Sequence, residues 1–490
     1  MLNDITGQID DELKTVGKNT LIYSIGNIAI KSVTFFFIPL YTHYLSVFEV
    51  GIIVLLELLE LFYNAVAPLG VFSAVWRYFT TERKSGTEKK FISSNILFVL
   101  AVNAVLATLL IVCAPWITKM YLSDGSLSNL VRVFIIILFL GLSRTVIVNL
   151  LRIYEQAFRF IVFVFVDFVL LILLTLGFVI GLDLGLWGII YAKLITSGLI
   201  FFFAVFYILK QHGLHYDHKY VIRSLRFGFP LMFNGISMLI LSMSDRFFIK
   251  EIISVEASGI YGISYKFGMI LNMVFVVPLM QAWHPILFRL ENAPEQKVTY
   301  QKIALYYVQI GSLLMLAIVV ASKYLLKITT IEEYHYGIII VPWIAFSYFL
   351  FGLQNIFKAG ALIHNQTIKM TQYGLLTAGL NIILNMAMIP TLGILGAAIA
   401  TTLSYFVLMV LILRLSHKYL HINWLWRKMI PVILLGMIFS WLASIDLNKL
   451  QLNFAKDATV LILLPTLMLL LKLVSLKEIK RFALRLKGAF

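Results

Sequence analysis

Nine ionisable side chains sit inside long apolar runs of this sequence. Lys31, Arg144, Lys193, Arg246 and Lys266 are basic, and Glu57, Glu60, Asp167 and Asp245 are acidic. Cations held away from water bind phosphate-type anions through charge-assisted hydrogen bonds. Carboxylates in such surroundings can take up a proton or a metal cation, because a low dielectric disfavours their bare charge. A charge at a bilayer centre costs about 2.5 to 3.5 kcal/mol, so nine facing lipid would cost on the order of 25 kcal/mol. They must face protein or water. Lys31 and Glu57 flank one turn at similar distances, Arg144 and Asp167 flank another, and Asp245 adjoins Arg246, so each pair can neutralise itself. Lys193 and Lys266 have no such neighbour. The expected excess of positive charge suits a phosphate or pyrophosphate better than an organic cation.

The elements that must position these groups are helices with polar stripes. At 100° per residue, Thr20, Ser24, Asn27, Lys31 and Thr34 fall within about 80° of one another. Glu57, Glu60 and Asn64 form a second stripe, and Thr377, Asn381 and Asn385 a third. Together they predict one wet interior. Tyr261 and Tyr265 beside Lys266, and Tyr191 beside Lys193, could stack on sugar rings or belong to an interfacial aromatic belt. Pro39, Pro68, Pro230, Pro278 and Pro285 are sites of bending or of packing.

Composition sets the solvent. The 490 residues are 61% hydrophobic and 13% charged, with a mean hydropathy of +0.93, whereas a soluble domain is roughly half apolar and a quarter charged. This excludes a soluble globular enzyme and a disordered chain, and the single Cys113 excludes a disulfide scaffold. The fold class expected is an all-α polytopic membrane protein of about 14 transmembrane helices. The apolar runs lie near 20–42, 47–72, 91–118, 131–151, 159–181, 185–209, 227–249, 257–288, 303–326, 337–361, 367–389, 393–413, 429–445 and 458–474. The net charge of +16 then reports topology rather than nucleic-acid binding. With both termini cytoplasmic, the outer segments hold only Lys119, Arg132, Lys250, Lys323, Lys327, Lys449 and Lys456, while the basic stretches 77–90, 210–226, 414–428 and 472–487 lie inside. No removable signal peptide is expected at the N-terminus.

An internal repeat recurs at an offset of 208 residues. Ser46-Val47 with Gly51-Ile52 returns as Ser254-Val255 with Gly259-Ile260, and Leu184-Gly185, Gly188 and Ala192 return as Leu392-Gly393, Gly396 and Ala400. The expected organisation is a cytoplasmic segment (1–19), a six-helix lobe (20–210), a cytoplasmic linker (211–226), a second six-helix lobe (227–415), two further helices (416–474) and a basic cytoplasmic tail (475–490). No phosphate-binding Gly loop, His-Glu-x-x-His pair, Gly-x-Ser-x-Gly elbow or Cys-x-x-Cys pair is present, so no catalytic residue, resident cofactor or metal is expected. His212, His215 and His218 beside Asp217 read as a solvated loop, and His364 as a local hydrogen-bonding residue.

Particular residues also carry a family likeness. Lys18-Asn19-Thr20, Pro39-Leu40-Tyr41-Thr42 with Leu45-Ser46, Ser73-Ala74-Val75 with Arg77, and Asp245-Arg246 followed by Gly259-Ile260-Tyr261 and Tyr265-Lys266 together resemble the Wzx-type polysaccharide flippases. These belong to the multidrug/oligosaccharidyl-lipid/polysaccharide (MOP) exporter superfamily, and the likeness spans nearly the whole chain. It implies two six-helix lobes around a central cavity and a bacterial inner-membrane transporter, not an enzyme. The implied cargo is an undecaprenyl-pyrophosphate-linked oligosaccharide for O-antigen, capsule or related glycan, moved from the cytoplasmic to the outer leaflet by alternating access. Under that reading Lys31, Arg144, Lys193 and Lys266 attract the pyrophosphate, with Arg246, Asn27 and Asn381 nearby and Arg77 and Lys358 at the inner mouth. Glu57, Glu60, Asp167 and Asp245 are the candidates for coupling to a proton or sodium gradient. Membrane lipids and glycan-polymerase or assembly proteins are the implied partners. A cation-coupled multidrug exporter and a lipid II flippase are the alternatives, ahead of a membrane glycan polymerase or O-acyltransferase.

Overall fold

The structure is a computed structural model that describes residues 35–122, 124–291, 293–447 and 449–474. Most of the expected first span, with Asn27 and Lys31, and the basic tail 475–490 lie outside the described residues. Among the described residues all regular structure is helical, and twelve helices are long and apolar enough to cross a membrane, or thirteen when one bent pair counts as a span. Each of the other thirteen expected runs falls on one of these. The bent pair is Val47–Val66 with Val71–Lys84, at 42°, broken where Leu69 and Gly70 take positive φ.

The chain divides into two compact units between Met243 and Ser244. This boundary cuts the expected 227–249 run, which forms two helices, His218–Met243 and Asp245–Ile252.

The repeated residues do the same local work in each unit. Ser46 caps Val47–Val66, its hydroxyl accepting from Glu49 N at 3.2 Å, and Ser254 caps Val255–Gly268, accepting from Ala257 N at 3.1 Å. Glu49 closes a capping box on Ser46. Gly185 and Gly393 both take positive φ, 51° and 60°, at the starts of Gly185–His212 and Ile394–Tyr419, where a side chain would be strained.

In the first unit, Ser128–Ile153 packs against Gly185–His212 and Glu88–Val112, and Ala157–Leu176 packs on Gly185–His212. Tyr63 donates to Asn103, whose amide donates to Phe139 O at 3.1 Å, so three helices share one polar link. The bend at Gly70 is held by His218–Met243, because Gly70 and Gly228 meet backbone to backbone. A Cβ on Gly70 would lie 2.0 Å from Gly228 O, and one on Gly228 would lie 2.2 Å from Gly70 O.

In the second unit, Val341–Phe357 and Thr367–Leu392 pack on Ile394–Tyr419, and Gln296–Thr329 carries Trp426–Ser444. That last crossing is close because Gly436 faces Ser312, leaving 2.7 Å for a Cβ. Leu450–Leu470 is tied to the same long helix by charge. Lys323, expected in an outer loop, is buried against Asp457, and Lys327 pairs with Asp446.

Because the Gly70–Gly228 contact leaves no room, Gly228→Ala should destabilise the protein by about 1–3 kcal/mol. Gly235→Ala, in the same helix but facing open space, should leave stability unchanged or slightly raised. Thermal unfolding of the two variants in detergent reads the difference.

Candidate functional site

Arg144 lies nine residues before the end of Ser128–Ile153, and Asp167 lies ten residues after the start of Ala157–Leu176. A three-residue connection makes the two helices antiparallel neighbours, so both side chains sit about 15 Å from the turn. They meet: Arg144 Nε is 2.7 Å from Asp167 Oδ2, and its NH2 donates to Oδ1 at 2.9 Å. The pair is one hydrogen bond, from NH2, reinforced by the close approach of the two charges.

Lys193 was expected to lack a partner, and it has one. Its ammonium lies 3.1 Å from Glu60 Oε2 and 5.6 Å from the Phe134 ring centre. The two residues are 133 positions apart, on Gly185–His212 and Val47–Val66, which no turn relates. Helix packing brings them together. The expected excess of positive charge is therefore absent from this site, where two cations face two carboxylates. Glu57, one turn before Glu60, is also engaged.

Between these pairs lies a cavity of about 170 Å³, lined by Glu60, Asn64, Arg144, Lys193, Ser197 and Gly141 among others. Asn64 and Ser197 stand one turn beyond Glu60 and Lys193, so each ionic side chain has a neutral polar companion on its own helix face. Ser197 escaped the sequence reading, although its i+4 spacing from Lys193 was a visible signal. Gly141 completes this wall, where a Cβ would meet nothing closer than Ser197 Oγ at 3.8 Å. All four ionic side chains remain partly exposed, between 17% and 33%. Glu60, Arg144 and Lys193 line the polar space, and Asp167 stands behind Arg144.

The second unit holds a different cluster. Asp245 and Arg246 bond to each other, with Oδ1 accepting from Arg246 N at 2.9 Å and from NH1 at 3.3 Å. Tyr261 donates to Asp245 Oδ2, and Thr401 approaches the same oxygen at 3.5 Å. The Arg246 guanidinium lies 4.3 Å from the Tyr265 ring centre, and Tyr265 and Tyr348 share a 3.1 Å hydroxyl contact. Asn381 Oδ1 accepts from Ser244 Oγ at 3.2 Å and from Asn385 Nδ2 at 3.0 Å.

This geometry corrects two expectations. Thr377, Asn381 and Asn385 are buried in protein, so their stripe binds helices together and does not line a wet interior. Tyr261 and Tyr265 are likewise enclosed, positioned neither for a sugar nor for an interfacial belt, because their hydroxyls satisfy buried polar groups. Tyr191 is exposed beside Trp187. Tyr348 and Thr401 carried no sequence signal, since each reaches the cluster only through tertiary packing, whereas Ser244 directly precedes Asp245 in the chain.

The remaining residues are placed apart. Arg77, exposed, lays its guanidinium 4.8 Å from the Phe227 ring centre. Lys358, just beyond the Glu332–Phe357 span, donates to Asn355 Oδ1 at 2.6 Å, and burial holds its pKa below the usual lysine range. Lys266 is buried in Val255–Gly268 and is engaged. No group of three metal-ligating side chains occurs among the described residues. The His215 loop is pinned by Ser93 and Ser94, and His364 bonds to Gly360 O at 2.9 Å.

Apolar helices of spanning length, with ionic pairs held between them, define a multi-pass membrane protein. The solved structures it resembles are of that class. "Lipid II flippase MurJ, inward closed conformation" matches with a TM-score of 0.68 at 14% identity, covering 92% of this chain and 98% of that one. The "inward-facing conformation of a multidrug resistance MATE family transporter of the MOP superfamily" matches with a TM-score of 0.64 at 15% identity, covering 81% and 97%. The "outward-facing conformation of a multidrug resistance MATE family transporter of the MOP superfamily" matches at 0.53 and 16% identity, covering 82% and 95%. The fold is that of the MOP superfamily. No curated protein matches the chain. Residues 16–291, over half the chain, match the family described as "Polysaccharide biosynthesis protein", and the chain belongs to that family.

A double-mutant cycle tests the Glu60–Lys193 pair. Lys193→Gln leaves a carboxylate unpaired at mid-span depth and should lower stability more than the Glu60→Gln/Lys193→Gln double variant does. The coupling should be about 0.5–3 kcal/mol, read from thermal unfolding in detergent.

Proposed function

We propose that this transporter flips a polyprenyl-pyrophosphate-linked oligosaccharide, of the undecaprenyl type, from the cytoplasmic to the outer leaflet of a bacterial inner membrane. The product would feed O-antigen, capsule or a related glycan. Membership of the polysaccharide biosynthesis family carries this reading, and the polar cavity between Glu60, Arg144 and Lys193 supplies the chemistry.

Its balanced charge suggests how an anion is taken and released. Glu60 and Asp167 occupy Lys193 and Arg144, balancing their charge at a depth where a bare charge is costly. An incoming pyrophosphate competes with those carboxylates for the same donors, so part of its binding energy offsets the broken pairs. The cations are thereby held ready without binding the headgroup irreversibly. The oligosaccharide needs polar surface and the polyprenyl chain stays in lipid.

A neutral Glu60 should free Lys193. Glu60→Gln should therefore bind the pyrophosphate headgroup several-fold more tightly than wild type, and Lys193→Gln several-fold more weakly. Vesicles carrying wild type should move a labelled polyprenyl-pyrophosphate oligosaccharide between leaflets faster than empty vesicles. Equal rates, with and without an imposed ion gradient, would remove the proposal.

Coupling to a proton or sodium gradient is assigned, within the same proposal, to Asp245. This buried carboxylate has Thr401 and Tyr261 beside it, and the neighbouring Asn385 Oδ1 accepts no hydrogen bond among the described residues. Asp245→Asn should abolish the dependence of transport on the gradient while preserving gradient-free exchange of labelled substrate. An unchanged gradient response in the leaflet assay would rule Asp245 out.

A further inference from the structure

At the polar end of the Ile394–Tyr419 span the second unit carries a groove of about 690 Å³ that the transport reading does not use. Arg414, His417 and Lys418 line it from the helix, and His421, Trp424 and Trp426 from the loop and helix that follow. Among the described residues no carboxylate lines it. The whole stretch 413–428 contains no Asp or Glu, and adds Arg427 and Lys428.

Topology accounts for basic residues here, and the helix C-terminus favours one or two of them. Neither accounts for a preformed concavity. Its far wall is rigid: Ile422 and Trp424 are buried, and the Trp424 and Trp426 indoles pack on Phe357, with ring centres at 4.7 and 5.6 Å. Gln301 Nε2 donates to Asn423 O at 2.5 Å, fixing the loop backbone. On the helix side Gly360 N donates to Ser416 Oγ at 2.8 Å, a contact so close that a Cβ on Gly360 would lie 2.6 Å from Ser416 O. Against this frame Arg414, His417, Lys418 and His421 are all exposed. The His417 and His421 rings stand only 3.9 Å apart between centres, beside Arg414 and Lys418, in a groove whose described lining holds no carboxylate.

We propose that this groove binds the phosphate of an anionic membrane-lipid headgroup. Arg and Lys supply the fork and the point charge that phosphate oxygens accept from. Indoles sit at headgroup depth in a bilayer, and basic pockets between membrane helices hold such headgroups. The apolar part of the wall leaves the lipid's chains in the hydrocarbon. The site is independent of the transported cargo.

Full-length protein in detergent, supplied with phosphatidylglycerol, phosphatidylcholine or inorganic phosphate, tests this by native mass spectrometry. Wild type should retain phosphatidylglycerol and not phosphatidylcholine. Arg414→Gln/Lys418→Gln should weaken that retention at least tenfold, as should the single Arg414→Glu at an exposed position. Arg83→Gln/Lys84→Gln, a basic helix end in the other unit, should retain it like wild type. Equal retention by the Arg414/Lys418 variant, or equal loss in both double variants, would overturn the proposal. Displacement of the lipid by millimolar inorganic phosphate would overturn it too, assigning the groove to a soluble anion.

Discussion

A charged side chain in a hydrocarbon solvent has to find its counter-charge inside the protein, and in this chain that requirement selects which helices become neighbours. Arg144 and Asp167 join two sequence-adjacent spans, while Lys193 and Glu60 join two spans far apart in sequence. Asp457 and Asp446 draw Leu450–Leu470 and its preceding loop onto Lys323 and Lys327 of Gln296–Thr329. Buried pairs of this kind add little net stability compared with apolar packing, yet breaking one strands a charge. They act mainly as specifiers of arrangement.

Backbone contacts complete the arrangement where side chains would intrude. Gly70 and Gly228 touch directly, and Gly436 admits Ser312. These contacts fix the bend in the second expected span and the docking of Trp426–Ser444. Gly185 and Gly393 differ in purpose, allowing a left-handed residue where a helix begins. The 208-residue repeat thus preserves caps and turns, the features that set helix starts, whereas the ionic residues of the two units differ.

The two units consequently present different chemistry. The first has a polar cavity lined by Glu60, Arg144 and Lys193, with Asp167 paired to Arg144 beside it. The second encloses Asp245 and Arg246 among tyrosines and asparagines, away from water. A multidrug exporter for organic cations would use the carboxylates as its binding groups. In the first unit Asp167 and Glu60 are already held by Arg144 and Lys193.

The sequence by itself determined the solvent, the helical class and the position of nearly every span, because a bilayer imposes length and apolarity locally. It also determined the Arg144–Asp167 pair, since a short turn equates their depths. His364 was legible as local structure, bonding four residues back to Gly360 O, whereas His212, read as part of a solvated loop, is buried at the end of Gly185–His212 and the loop after it is held by Ser93 and Ser94. Only the tertiary structure decided that Lys193 meets Glu60, that Lys323 meets Asp457, and that the Thr377, Asn381 and Asn385 stripe faces protein. A stripe tells which face of a helix is polar, while what covers that face, here Thr401 of the next helix and Ser244 137 residues back, depends on packing that no periodicity in one segment encodes.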